Sequence, residues 1–163
     1  MNDRNHDNSS LDFGQSYRKA ADYCASQDRC NSEIRYKLKY WNIDKSFIDD
    51  IISKLTEEGF LNEKRFAVNY AGGKFRMNGW GKIKITSELK MRGIPTEYLQ
   101  EALVAIDEDD YISYLKDILQ KKMKQLGSNS PANRQKAIFF AASRGFETFL
   151  ISPLLKNNDL LDS

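Results

Sequence analysis

The chain repeats a pattern of apolar residues every 51 positions, three times over, and this periodicity constrains the fold more than any other feature. Leu38 falls on Leu89 and Phe140, Phe47 on Tyr98 and Phe149, Ile48 on Leu99 and Leu150, and Ile52 on Leu103 and Leu154. Upstream, Tyr17, Ala21 and Cys24 fall on Val68, Gly72 and Phe75, and then on Leu119, Met123 and Leu126. Each copy therefore carries an i, i+4, i+7 stripe. A fixed period of this size means stacked supersecondary units that bury their apolar faces partly against one another. It favours an extended binding surface over a single closed pocket.

Within each copy the apolar spacing is helical, and three helices fit. They are expected at about 16–27, 31–41 and 45–58, then 63–76, 81–92 and 96–106, then 108–126, 131–144 and 147–156. The expected organisation is a disordered tail over 1–15, three-helix repeats over 16–60, 61–106 and 107–156, and a tail over 157–163. Asn31 or Ser32 can cap the second helix, Asn42-Ile43 makes a corner, and Gly59 ends the third helix. Asn62 is a natural N-cap, Pro95 starts a helix, and Gly127-Ser128-Asn129-Ser130-Pro131 is a break. Two places resist. Trp80–Thr86 alternates like a strand, but Ile85 and Leu89 match Ile34 and Leu38 at i, i+4, so the repeat predicts a helix. Pro153 falls where Ile51 and Ala102 face the core, which predicts a short or bent last helix.

The chemistry available is narrow. His6 is the only histidine, which leaves no Ser/His/Asp or Cys/His relay. Cys24 and Cys30 are expected as free thiols, since one fills an apolar repeat position and two cysteines with one tail histidine cannot close a zinc site. The glycines at Gly72-Gly73 and Gly79-Trp80-Gly81 match no phosphate-loop pattern. No catalytic residue, metal or cofactor is expected. No run approaches the roughly 18 apolar residues of a membrane span, and Met1–Ser10 lacks the apolar segment of a signal peptide, so a cytoplasmic protein is expected.

What stands out is charge. The net charge is only +2. Yet Lys64, Arg65, Lys74, Arg76, Lys82, Lys84, Lys90 and Arg92 face the single acid Glu88 in their stretch, a local charge of +7. Lys116, Lys121, Lys122 and Lys124 form a second cluster. Such concentration points to a polyanionic or acidic partner. Trp80 or Ile83 could add an apolar anchor, or could pack internally; Arg92 sits near a helix end, where its head can complement the dipole. The candidate contact residues are Lys64, Arg65, Lys74, Arg76, Trp80, Lys82, Lys84, Lys90, Arg92, Lys121, Lys122 and Lys124. Reversing the charge of Lys82, Lys84 and Lys90 together is expected to abolish function with the helical fold intact.

The stretch Glu57-Glu58-Gly59-Phe60-Leu61-Asn62-Glu63-Lys64-Arg65-Phe66-Ala67 resembles the most typical segment of the RecX regulators of bacterial recombination. Gly79-Trp80-Gly81, Ile85, Glu88-Leu89 and Arg92-Gly93-Ile94 follow at that family's spacing, and Ser32-Glu33-Ile34 with Lys37-Leu38 resembles its first copy. The likeness covers roughly residues 16–156. It departs at Asn62, where an acid is common, and most in the third copy, where Lys136 stands for Ile34 and Ile85. The resemblance implies an all-α molecule of three tandem three-helix repeats in an elongated, curved arrangement. It also implies a non-enzymatic regulator that binds the filament of RecA recombinase on single-stranded DNA; a monomer is expected. Such a regulator inhibits filament growth, ATP hydrolysis, strand exchange and co-protease activity. Duplex DNA stays open as a further ligand. The residues alone also allow a stand-alone, helix-turn-helix-like DNA-binding protein.

Overall fold

The structure, a computed structural model, describes residues 10–156; residues 1–9, including His6, and the segment expected as a tail over 157–163 lie outside the described residues. Among the described residues every regular element is an α-helix, three to each copy. They are α1 (Phe13–Ser26), α2 (Asn31–Tyr40) and α3 (Lys45–Glu57), then α4 (Glu63–Asn78), α5 (Lys82–Met91) and α6 (Thr96–Val104), then α7 (Glu108–Leu126), α8 (Pro131–Ser143) and α9 (Thr148–Lys156). Helix α1 starts earlier than the apolar stripe suggests. Asp12 and Gln15 form a capping box, each accepting the other's backbone N–H at 2.8 and 3.0 Å, which recruits Phe13–Gln15 into the first turn.

Local signals act largely where the sequence puts them. Asn42 takes φ 56° at the α2–α3 corner, and Ile43 N–H donates back to the Leu38 carbonyl at 3.0 Å. Gly59 (φ 78°) closes α3, and Asn62 caps α4 by accepting from Arg65 N–H at 2.9 Å. One cap differs: α2 begins at Asn31 itself, so the N-cap is Cys30, not Asn31 or Ser32. Trp80–Thr86 joins α5 from Lys82 onward, as the repeat requires.

The buried positions correct the register of the third copy. They shift by 51 from the first copy to the second and by 52 from the second to the third: Ala20, Ala71, Met123; Leu38, Leu89, Ala141; Ile43, Ile94, Phe146; Ile48, Leu99, Ile151. One extra residue therefore enters between Leu99 and Leu119. Phe140 and Leu150 are only half-buried and Phe149 is 71% exposed, because Ala141 and Ile151 take the core places. Ala137, not Lys136, is the counterpart of Ile34 and Ile85. Pro153 is exposed, with Leu154 at the level of Ile51 and Ala102, so α9 carries its proline inside the helix without losing a core residue.

The chain divides into two compact units at Phe66/Ala67, inside α4. In the first, α1, α2 and α3 enclose Ala20, Cys24, Ile34, Leu38, Ile48, Ile51 and Leu55, with Tyr23, Trp41 and Phe47 packed against this core. Cys24 and Cys30 are buried free thiols there, and burial raises both thiol pKa values.

In the second unit, α5 has no side-chain cap. Its first turn docks instead on the corner between α8 and α9. Gly81 N–H donates to the Arg144 carbonyl and Ile83 N–H to the Gly145 carbonyl, both at 2.9 Å, while Lys82 N–H donates to the Tyr111 hydroxyl at 2.9 Å. Three orphan donors of a helix start are thereby satisfied. The approach is backbone on backbone: a Cβ on Gly81 would strike the Gly145–Phe146 backbone. Gly79 (φ 63°) is similarly held against Tyr114. The two glycines of the Gly79-Trp80-Gly81 motif thus serve packing.

Candidate nucleic-acid and acidic-partner interface

The basic stretch of the second copy separates into groups that do different things. Lys82, the counterpart of the first residue of α2, turns toward α7. Its ammonium pairs with Glu108 at 2.8 Å and lies 4.6 Å from the Tyr111 ring centroid, leaving its side chain 19% exposed. The hydroxyl of Tyr111 in turn donates to Glu147 at 2.6 Å. Burial, then this bond, push the Tyr111 pKa far above the usual phenol range. Phe75, Tyr114 and Phe146 complete an aromatic cluster around Tyr111, with ring centroids 5.2–6.0 Å apart. Lys82 is therefore part of what holds α5 in place, and reversing its charge would set two carboxylates against each other.

Arg65 belongs to the first unit, where it pairs with Asp28 at 2.7 Å and reaches the Gly59 carbonyl at 3.3 and 3.4 Å. Lys64 is exposed in the first turn of α4. Arg76 folds back over Gly72, whose missing Cβ leaves room for its guanidinium, and lines a hollow with Phe75, Asp110, Tyr114 and Asp117. Lys121 pairs with Asp117 at 2.8 Å, one turn away. Lys124 is exposed, and Lys122 lies 5.1 Å from the Phe140 ring centroid. Lys122 also lines a hollow of about 720 Å³ between α7 and α8, with Leu126, Ala132, Lys136 and Phe139.

The remaining residues converge. Along one face of α4 and α5, cations and rings alternate in a ladder: Arg92, Tyr70, Lys74, Trp80, Lys84. Arg92 Cζ lies 4.8 Å and Lys74 Nζ 5.4 Å from the Tyr70 centroid. Lys74 Nζ lies 4.8 Å and Lys84 Nζ 4.4 Å from the Trp80 centroid. The helix spacing explains the arrangement. Tyr70 and Lys74 are one turn apart on α4, and the turn at Gly79 brings Trp80 back against Lys74, with Trp80 N–H donating to the Lys74 carbonyl at 3.2 Å. Lys84 is fixed from below, its Cβ against Gly145. Arg92 is oriented by Glu88, bonding both its carboxylate (2.8 Å) and its carbonyl (3.0 Å) at the end of α5. Lys90, exposed in the same last turn, adds charge, and Ile83 is 55% exposed.

This face can hold phosphates or carboxylates on its cations and planar groups on its rings. An exposed cation–ring contact is worth only about 0.5–1 kcal/mol, so the lysines can leave the rings for a stronger anion. Four of the sequence candidates, Lys74, Trp80, Lys84 and Arg92, meet here. Tyr70 was missed, although its i, i+4 spacing from Lys74 was available. Among the described residues no cluster of three or more His, Cys, Asp or Glu could hold a metal ion. No described helix is long and apolar enough to cross a membrane.

Comparison with known proteins places this geometry in context. Residues 62–103, which include the whole ladder, match the family model for RecX, second three-helix domain. The chain is 30% identical over 146 residues to the regulatory protein RecX of Pseudomonas entomophila (strain L48), covering 89% of this chain and 92% of that protein. It is likewise 30% identical over 148 residues to the regulatory protein RecX of Pseudomonas putida (strain GB-1), with 89% and 92% covered. In fold it is similar to the crystal structure of RecX from Lactobacillus salivarius, with a TM-score of 0.82 at 22% identity, covering 91% of this chain and 97% of that one.

Proposed function

The chain belongs to the RecX family, and on that premise we propose that it binds the filament of RecA recombinase on single-stranded DNA. There it inhibits filament growth, ATP hydrolysis, strand exchange and co-protease activity, without chemistry of its own, as a cytoplasmic monomer built of repeats over 16–60, 61–106 and 107–156. The observation that carries the reading is the ladder of Arg92, Tyr70, Lys74, Trp80 and Lys84. A nucleoprotein filament offers both kinds of group the ladder suits, phosphates with bases on the DNA and carboxylates on the protein. A net charge of +2 limits long-range attraction to bare DNA, so the local surface is where affinity arises.

The test is charge reversal on the ladder face. Lys74→Glu, Lys84→Glu and Lys90→Glu together spare the Lys82–Glu108 pair, and glutamate keeps the aliphatic start of each side chain. The triple variant is expected to retain wild-type circular dichroism and to lose inhibition of the recombinase ATPase by at least tenfold. Undiminished inhibition by a folded triple variant removes this face from the mechanism.

A further inference from the structure

The first unit carries a ladder of its own, built from residues outside the basic stretch. Lys19 Nζ lies 4.5 Å and Lys37 Nζ 5.5 Å from the Trp41 centroid. Lys37 Nζ also lies 5.5 Å from the Tyr23 centroid, over which Arg29 Cζ sits at 4.1 Å. The order is again cation, ring, cation, ring, cation: Lys19, Trp41, Lys37, Tyr23, Arg29. Four of the five positions are those of the central ladder shifted by 51, with the partners traded: Lys19 and Trp41 become Tyr70 and Arg92, and Tyr23 and Arg29 become Lys74 and Trp80. What recurs is the pairing of cation with ring at each place, not the residue. Beneath it Ala20, Cys24, Ile34 and Leu38 close α1 on α2, and Tyr23 and Trp41 pack against that core and edge to face on one another, with centroids 5.5 Å apart.

We propose that this α1–α2 face is a separate binding site for single-stranded nucleic acid, with bases stacking on Trp41 and Tyr23 and phosphates paired to Lys19, Lys37 and Arg29. The chemistry favours a strand over an acidic protein surface. Base stacking on an aromatic side chain is stronger than the exposed cation–ring contact it displaces. The released lysines then meet phosphates. An acidic peptide would satisfy the cations but give the rings nothing. Tyr40, 67% exposed with Lys37 Nζ 5.0 Å from its centroid, extends the face by one more ring. Arg29 keeps its Nε buried without a hydrogen-bond partner, so its hold on Tyr23 is not tied to a carboxylate at that nitrogen.

The chain has two tryptophans, which makes the test direct. In the Trp80→Phe variant of this 163-residue chain, Trp41 is the sole tryptophan reporter. Titration with an oligothymidylate is expected to quench its emission, and Lys19→Glu with Lys37→Glu is expected to weaken that response at least tenfold while circular dichroism stays unchanged. Adding Lys74→Glu and Lys84→Glu should leave the quenching in place, which separates this site from the central ladder. An abasic strand of equal length should bind with charge alone and quench weakly. Unchanged Trp41 emission overturns the proposal. An equal response to the abasic strand overturns it by removing base stacking, and an equal response to polyglutamate overturns it in favour of an acidic protein partner.

Discussion

Gly81 is where one atom decides the packing. A methyl group there meets the backbone of Gly145 and Phe146, which has no soft side chain to move aside. Gly81→Ala is expected to destabilise the protein by about 1–3 kcal/mol, read from chemical denaturation, as overpacked contacts do. Tyr111 acts by its hydroxyl. Tyr111→Phe leaves the Lys82 N–H without its acceptor and Glu147 without its donor, at a cost of about 1–3 kcal/mol by the same measurement. Two phenols also give the chain an alkaline signature. Tyr17 is pushed up to about 12, by burial first and by its bond to the Glu58 carboxylate second, and Tyr111 is pushed higher still. The folded state therefore holds these protons more tightly than the unfolded chain, whose phenols titrate near pH 10. The stability they contribute is fully present below about pH 10 and is lost as pH rises through the folded values. Melting temperature should fall steeply across that window, and less steeply in Tyr17→Phe.

Among the helices, most of the fold was legible in the sequence because it depends on local signals: apolar spacing, Asn42, Gly59, Asn62 and Pro131. The third copy was not. Its extra residue changes no helix's internal periodicity, so a shift of 51 still pairs apolar with apolar, at Phe140, Phe149 and Leu150. Only the buried set reveals 52. The registers separate experimentally. Ile151→Ala should cost about 2–5 kcal/mol, as should Leu89→Ala in the second copy, while Phe149→Ala stays within about 0.5 kcal/mol. A large loss at Phe149 with little at Ile151 would restore the shift of 51. The candidate site was legible in part for a similar reason. Charge density marked the second copy, but it could not say that Lys82 points to Glu108 and Arg65 to Asp28, since those partners are 26 and 37 residues away. It also passed over the first copy, where cations alternate with rings and do not cluster in sequence.

For the molecule as a whole, the chain falls into two compact units, and each presents a cation–ring ladder. A chain with a net charge of only +2 and a set of cations held over rings in each unit is suited to short-range recognition of an anion that also has flat or acidic neighbours. That suits a filament regulator better than a tight binder of naked DNA, whose affinity would rest on many phosphate contacts and fall steeply with salt. The measurement that tests this most directly is the single-stranded-DNA-dependent ATPase of the cognate RecA recombinase, titrated with this protein well below stoichiometry. Binding to the same DNA without recombinase is measured beside it at equal salt. The account predicts strong inhibition at substoichiometric protein, with weak binding to bare DNA. No inhibition, together with tight and salt-sensitive binding to DNA alone, would contradict it and leave a stand-alone DNA-binding protein.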